Sequence, residues 1–228
     1  MTEAIFWTWC RIFVSLRPYI VACFMKFDKI KVSDGDQIFI PRAEGYRDCL
    51  ELIRSDIYRH GGIRFSTFRI FVHMLAHPFS LLVWQRLCGY KGMLYYPCKF
   101  MHRLCCNLRQ IDLPIETRIG FGLYLGHKRC MVINGGTIIG NNVNLFQFLN
   151  IGTEHNTPAI IGDEVYVGPN VCIVERVCIG SKSSIGAGAV VTKDVPTGST
   201  CAGVPAKVLN YKEPGRFIKN CWEVPTED

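Results

Sequence analysis

Hydrophobic positions recur every six residues from Ile161 to Pro196, in six consecutive units: IGDEVY, VGPNVC, IVERVC, IGSKSS, IGAGAV and VTKDVP. Each unit opens with Ile or Val and usually continues with Gly. The fifth position is small or β-branched: Val165, Val171, Val177, Ser183, Ala189 and Val195. A fixed short period of this kind predicts a parallel β-helix in which each unit supplies one short strand and one turn. The opening aliphatic residue points inward, and Gly stands where a Cβ would clash with the neighbouring turn. Three units make one coil, and successive coils stack at roughly 4.8 Å.

The pattern continues upstream with two defects. Units open at Ile139, Leu145 and Ile151, and before them at Ile119, Leu125 and Ile133. Ile151 and Ile161 are ten residues apart, so the stretch TEHNTPAI extrudes a short loop. Leu125 and Ile133 are eight residues apart, and the excess falls on His127 to Val132. A solenoid stacks best when its coils are alike, because a bulge leaves backbone groups unpaired at a corner. Both defects carry a histidine, His127 and His155. Irregular positions on a regular scaffold are where function tends to sit.

Ahead of the solenoid the period is helical. Tyr46, Leu50, Ile53 and Ile57 recur at three- and four-residue spacing until His60-Gly61-Gly62 stops the helix. A second stretch runs from about Ser66 to Leu87 with a break near Pro78, and a third from Leu94 to Leu108. Gly89 and Gly92 punctuate between them. The expected organisation is an N-terminal extension (1–42), a helical capping domain (43–111), a β-helix (112–208) and a loop-like tail (209–228). A helical domain over one end of the solenoid covers strand edges that would otherwise pair with other chains, and also offers an oligomer contact. Residues 5–25 are apolar and aromatic but interrupted by Arg11, Arg17 and Pro18. Their longest uncharged piece is shorter than the roughly 20 residues a membrane span needs. They predict a packing or interfacial helix.

The net charge of +7 fits either a solvated basic surface or attraction to an anionic partner such as a phosphorylated cofactor. The basic residues are scattered and form no stripe with interleaved aromatics, which argues against nucleic acid. The twelve cysteines sit inside repeats or on apolar runs and form no CxxC pair. They read as small hydrophobes in a reducing compartment, and the expected localisation is cytoplasmic.

The residues Asp112, Ile119-Gly120-x-Gly122, Leu125-Gly126-His127, the hexads, the IGAGAVV unit from Ile185 and Ala202-Gly203-Val204-Pro205-Ala206-Lys207 form one combination. It resembles the hexapeptide-repeat acetyltransferases, and within them the serine O-acetyltransferase-like branch, over roughly residues 80–210. The resemblance implies a helical domain followed by a left-handed parallel β-helix, assembled as a homotrimer or a dimer of trimers. It implies acetyl-CoA as acetyl donor, held between coils of neighbouring subunits, and no metal. Ala187, Gly188, Ala202 and Gly203 would line the path of the pantetheine arm, with Lys193 or Lys207 meeting the nucleotide phosphates. The alternative is that these small residues merely suit tight coil corners.

Acetyl transfer to a hydroxyl needs a base, and imidazole has a suitable pKa. His127 occupies the position of the family's catalytic His. Asp112 matches its partner carboxylate, with Glu116 in reserve. His155 lies near the family's second active-site His. The implied reaction is direct acetyl transfer to the hydroxyl of L-serine, as in cysteine biosynthesis. A covalent route through Cys130 is the competitor, but nothing in the sequence activates that thiol. Metal hydrolysis of the carbonic anhydrase type needs three converging His ligands, and the solenoid carries only His127 and His155.

The serine-specific features are incomplete. Family members carry an Asp before the catalytic His and another in an Arg-Asp-Pro-Ala stretch of the helical domain. Here those places read Gly126 and Arg59-His60-Gly61-Gly62. The Arg that neighbours the second His is also missing. Taking an ammonium ion into a site without a counter-charge is costly. A neutral hydroxyl, such as a sugar of a surface polysaccharide, fits Gly126 at least as well. A non-catalytic β-helix scaffold is the reading from another class, and His127 with Asp112 argues against it. Family members that dock a cysteine-making sulfhydrylase end in Ile, whereas this sequence ends in Asp228, so that complex is not expected.

Overall fold

The computed structural model describes residues 25–76, 80–154 and 158–224. The apolar segment ahead of Met25, His155 and the last four residues lie outside the described residues.

The described chain opens with a hairpin, β1 (Lys26–Ser33) and β2 (Asp36–Arg42). The Asp34-Gly35 turn sits between the alternating pairs Ile30/Val32 and Ile38/Ile40, and Gly35 takes φ 81°. Asp-Gly between alternating apolar residues is a strong hairpin signal. Within the N-terminal extension (1–42), β1 and β2 pack Val32, Ile38 and Ile40 against Ile138, Ile160 and Cys178 of the solenoid. Asp36 fastens the hairpin by accepting from the Ser181 N–H (2.7 Å), the Ser181 hydroxyl (2.9 Å) and the Thr197 hydroxyl (2.9 Å).

Four helices follow: α1 (Tyr46–Gly61), α2 (Thr67–Ala76), α3 (Ser80–Leu87) and α4 (Tyr95–Arg109). Gly62 ends α1 in the left-handed region, with its N–H on the Tyr58 carbonyl. Cys49, Ile53 and Ile57 of α1 pack with Ile70, Val83 and Cys98 into one cluster. Leu81 and Leu82 of α3 and Cys105 and Cys106 of α4 face the other way and join the solenoid core. The helices therefore close the first coil from above, as the open edge requires. No described helix is long and apolar enough to cross a membrane.

The solenoid begins at Ile111 and makes about four turns of parallel strands in three sheets. The first sheet stacks Arg118–Ile119, Ile138–Ile139, Ile160–Ile161 and Cys178–Ile179. The second stacks Tyr124–Leu125, Asn144–Leu145, Tyr166–Val167, Ser184–Ile185 and Thr200–Ala202. The third runs from Ile111–Asp112 through Met131–Ile133, Asn150–Gly152 and Cys172–Val174 to Val190–Val191. Lys207–Asn210 then turns back antiparallel to Thr200–Ala202. The hexad register holds throughout: the opening residues and all six fifth positions, Val165 to Val195, are buried. Glycine at the second position answers a close approach between coils. A Cβ at Gly162 would come within 2.6 Å of the Ser181 nitrogen, and one at Gly168 within 2.9 Å of the Ala187 nitrogen.

Candidate active site

The corner between the second and third sheets repeats five times down the solenoid. Leu125 pairs with Leu145, Leu145 with Val167, Val167 with Ile185, and Ile185 with Cys201. Two residues beyond each stands a column of His127, Gln147, Pro169, Ala187 and Gly203. Backbone bonds tie its rungs, with Asn170 N–H donating to the Gln147 carbonyl (3.0 Å) and Gly188 N–H to the Pro169 carbonyl (2.9 Å). One residue further, every regular corner uses a left-handed residue: Phe148 (φ 60°), Asn170 (φ 58°) and Gly188 (φ 70°).

In the first coil this corner is enlarged. Lys128 (φ 37°) holds the regular left-handed place, while His127 (φ 55°) and Cys130 (φ 51°) add two more. Three non-glycine residues with positive φ within four positions cost of order 1 kcal/mol or more each, and such strain gathers at functional sites. The excess is held from above: Cys130 N–H donates to the Arg109 carbonyl (3.2 Å) and the Cys130 thiol to Gln110 Oε1 (3.3 Å). His127 is exposed at the head of the column.

Asp112 lies on the outer face of the third sheet, where it is exposed and pairs with Val132 of the next rung. It opens the coil whose last corner carries His127. The backbone bond from Cys130 to Arg109 brings that corner to the residues just before Asp112. No hydrogen bond joins the two side chains. Asp112 and Glu116 line a groove of about 720 Å³ between α4 and the first coil. Ala187, Gly188, Ala202 and Gly203 all fall on or beside the His127 column. Lys207 pairs with Ala202 at its lower end. Lys193 is exposed at the next corner, across the third sheet from that column. Gly188 is required by its φ, since a Cβ there would meet open space. Gly186 is required by stacking, since its Cβ would come within 3.0 Å of the Ala202 Cβ.

Gly126 has a cause that the sequence conceals. A Cβ at this position would overlap the Phe146 ring one coil below. Phe146 belongs to a ladder of rings on the outer face of the second sheet, 6.0 Å from Tyr124 and 5.2 Å from Tyr166 between centroids. Tyr166 continues it to Phe217 of the tail at 4.6 Å. Its upper end is the His60 ring, 4.4 Å from Tyr124. The Phe146 ring thus fills the space that a side chain at residue 126, just before His127, would need.

The end of α1 is likewise occupied. Arg59 is buried, donating to the Gly122 carbonyl (3.0 Å) and to Asn144 Oδ1. Lys128, next to His127, is a cation that sequence reasoning passed over. Burial, and then the charge of Arg109, push its pKa down to about 8. Burial, and then the charges of Lys128 and Arg59, push His60 down to about 3. An unfolded His60 takes up its proton near 6.5, whereas the folded one stays neutral to about 3. Its contribution to stability is therefore complete above 6.5 and lost as pH falls towards 3. Asp163 acts in the opposite sense: burial raises it to about 6, so stability falls as pH rises from its ordinary 3.8 towards 6. Comparing wild type with His60→Asn isolates the first effect. The melting temperature of the wild type should fall more steeply than that of the variant between pH 7 and pH 5. Parallel curves would remove His60 from the account.

Among the described residues no group of three His, Cys, Asp or Glu is placed to hold a metal ion. The family model for the bacterial transferase hexapeptide (six repeats) matches residues 158–193. The serine acetyltransferase of Helicobacter pylori strain J99 is 31% identical over 127 residues, which cover 53% of this chain and 72% of that protein. The chain belongs to the serine acetyltransferase family of hexapeptide-repeat acyltransferases.

Mitochondrial serine acetyltransferase 3 of Arabidopsis thaliana is 36% identical over 107 residues, 45% of this chain but 27% of the plant protein. Among solved structures, serine acetyltransferase from Brucella abortus strain S19 superposes with TM-score 0.58 at 23% identity, over 74% of this chain and 70% of that one. At that identity the likeness concerns the fold, a left-handed β-helix behind a helical domain. The Neisseria gonorrhoeae serine acetyltransferase solved in complex with serine superposes with TM-score 0.55 at 28% identity, over 70% of this chain and 67% of that one.

Proposed function

We propose that this family member transfers an acetyl group from acetyl-CoA to the hydroxyl of a small acceptor, with His127 as general base and L-serine as the acceptor its relatives indicate. The observation that carries the proposal is the enlarged corner of the first coil. It puts an exposed imidazole at the head of a column that runs through Gln147 and Pro169 to the small residues Ala187 and Gly203, where an extended thioester-bearing arm would find backbone groups. In this scheme His127 takes the acceptor's hydroxyl proton as the oxygen attacks the thioester carbonyl. The tetrahedral intermediate collapses, the C–S bond breaks, and the imidazolium returns the proton to the departing CoA thiolate. Asp112 is assigned as the carboxylate that orients the imidazole, His155 as a second lining residue, and Lys207 as a phosphate contact. The reaction needs no metal. The column is open on one side, so a homotrimer or dimer of trimers, with a neighbouring subunit closing the groove, belongs to the same proposal.

One observation favours a second acceptor class. An ammonium group in this site would meet Phe146 and the neighbouring Lys128 where relatives with the full pattern present a carboxylate. A neutral sugar hydroxyl meets no such penalty. Release of free CoA, followed with serine, homoserine and a panel of sugar acceptors, separates the two. Turnover that requires serine supports the amino-acid reading, and turnover with sugars alone replaces it. Absence of CoA release with every acceptor would sink the transferase proposal.

A further inference from the structure

From Ile57 to Ile111 the chain holds eight Lys and Arg and no Asp or Glu, against a net charge of +7 for the whole sequence. The remainder is therefore one charge on the negative side. The acid-free stretch begins part-way along α1, and Glu44, Asp48, Glu51 and Asp56 stand ahead of it, so the helical domain (43–111) carries ten Lys and Arg against four Asp and Glu. An excess of this sign attracts anionic partners.

The same domain exposes an apolar stripe. Cys98, His102, Cys105 and Cys106 bury one face of α4. On its outer face stand Tyr96 (79% exposed), Phe100 (68%), Leu104 (40%) and Leu108 (71%) at four-residue spacing. Residues four apart share a helix face, so these form one continuous strip. Met93, in the turn before the helix, extends it and is 90% exposed. Lys99 and Arg103 are exposed beside Phe100 and Leu104. Monomers rarely leave a contiguous apolar strip of this kind uncovered.

We infer that the outer face of α4 docks on an anionic lipid surface. Aromatic and aliphatic side chains flanked by Lys and Arg, on a helix lying along the protein surface, form an interfacial pattern: the apolar groups enter the headgroup region while the cations meet lipid phosphates. A second copy fits the face less well. In a two-fold contact the same patch meets itself, which sets Lys99 and Arg103 of each copy against those of the other.

Flotation of the full chain with phosphatidylcholine vesicles, and with vesicles to which phosphatidylglycerol has been added, tests the inference. Binding is expected on the anionic vesicles and should weaken as salt rises. Phe100→Ser with Leu104→Ser, and separately Lys99→Glu with Arg103→Glu, should each lower the partition coefficient by at least about tenfold. Circular dichroism and thermal unfolding confirm that each pair folds, which exposed positions favour. No binding to anionic vesicles overturns the proposal. Binding that survives both pairs also overturns it, by assigning the affinity to another segment. A concentration-dependent oligomer that dissociates on Phe100→Ser with Leu104→Ser, without vesicle binding, would give the face to a second copy and equally overturn it.

Discussion

His127→Ala should lower kcat for acetyl transfer by at least about 10²-fold while leaving the melting temperature nearly unchanged, as loss of a general base does. The stability half of the expectation follows from exposure: the imidazole is solvent-exposed and takes no part in the core. The catalytic half follows from position, since His127 heads the column along which the thioester is proposed to lie. Cys130→Ala is the matched control. It sits in the same enlarged corner, three residues away, with its own positive φ and a thiol bonded to Gln110. If the chemistry passed through an acetyl-cysteine, Cys130→Ala would abolish turnover. In the general-base scheme it changes turnover by less than about threefold, the size of a modest local adjustment. Single-turnover CoA release on both variants decides the matter. A His127→Ala enzyme with wild-type kcat would remove His127 from the mechanism. Asp112→Asn belongs in the same experiment, because a carboxylate that only orients the base should cost less than the base itself.

The solenoid was legible because its period is enforced at every rung. A one-position slip would turn the opening residues and Val165, Val171 and Val177 out of the core together, so the pattern tolerates little ambiguity. The enlarged corner was legible for the same reason: two extra residues stand out against a strict repeat. Lys128 and Phe146 were not. Phe146 lies twenty residues from Gly126 in sequence and becomes its neighbour only through coil stacking. Lys128 and His60 come together only when the end of α1 docks on the first coil. The hairpin of β1 and β2 did have a local signal in Asp34-Gly35 between alternating apolar residues. The polar junction between the helices and the solenoid has no sequence signal of this sort. Ser55, Asp56 and Arg59 look like the hydrophilic side of an amphipathic helix, and all three are buried.

Arg86→Ala should destabilise the protein by about 3–5 kcal/mol, the usual cost of removing one partner of a buried ion pair. Arg86 and Asp56 are each about 4% exposed or less and meet through two bonds of 2.8 Å. Burial pushes the Asp56 pKa up and the Arg86 guanidinium opposes that shift. Arg86 also donates to the carbonyls of Ile119 (2.7 Å) and Gly120 (2.6 Å), while Asp56 accepts from the Leu123 N–H (2.8 Å). One pair thus satisfies three backbone groups of the first coil, and Ser55 satisfies a fourth through the Gly122 N–H (2.8 Å). Truncating Arg86 leaves a buried carboxylate and two buried carbonyls without their donor. Replacing both members, Asp56→Asn with Arg86→Met, removes the carboxylate that Arg86→Met alone leaves without its partner, and should cost less than Arg86→Met alone. Urea unfolding of the three variants measures this, and equal losses for the single and double variants would refute the account. A functional consequence follows from the one-dimensional nature of a solenoid. Each coil is held only by its neighbours, so the terminal coil frays first when its cap loosens. That terminal coil carries the His127 corner, and the Arg86–Asp56 pair is what fixes its backbone to α1 and α3. Arg86→Ala should therefore lose acetyl transfer at a temperature below the midpoint at which the rest of the solenoid unfolds. In the wild type the two temperatures should coincide.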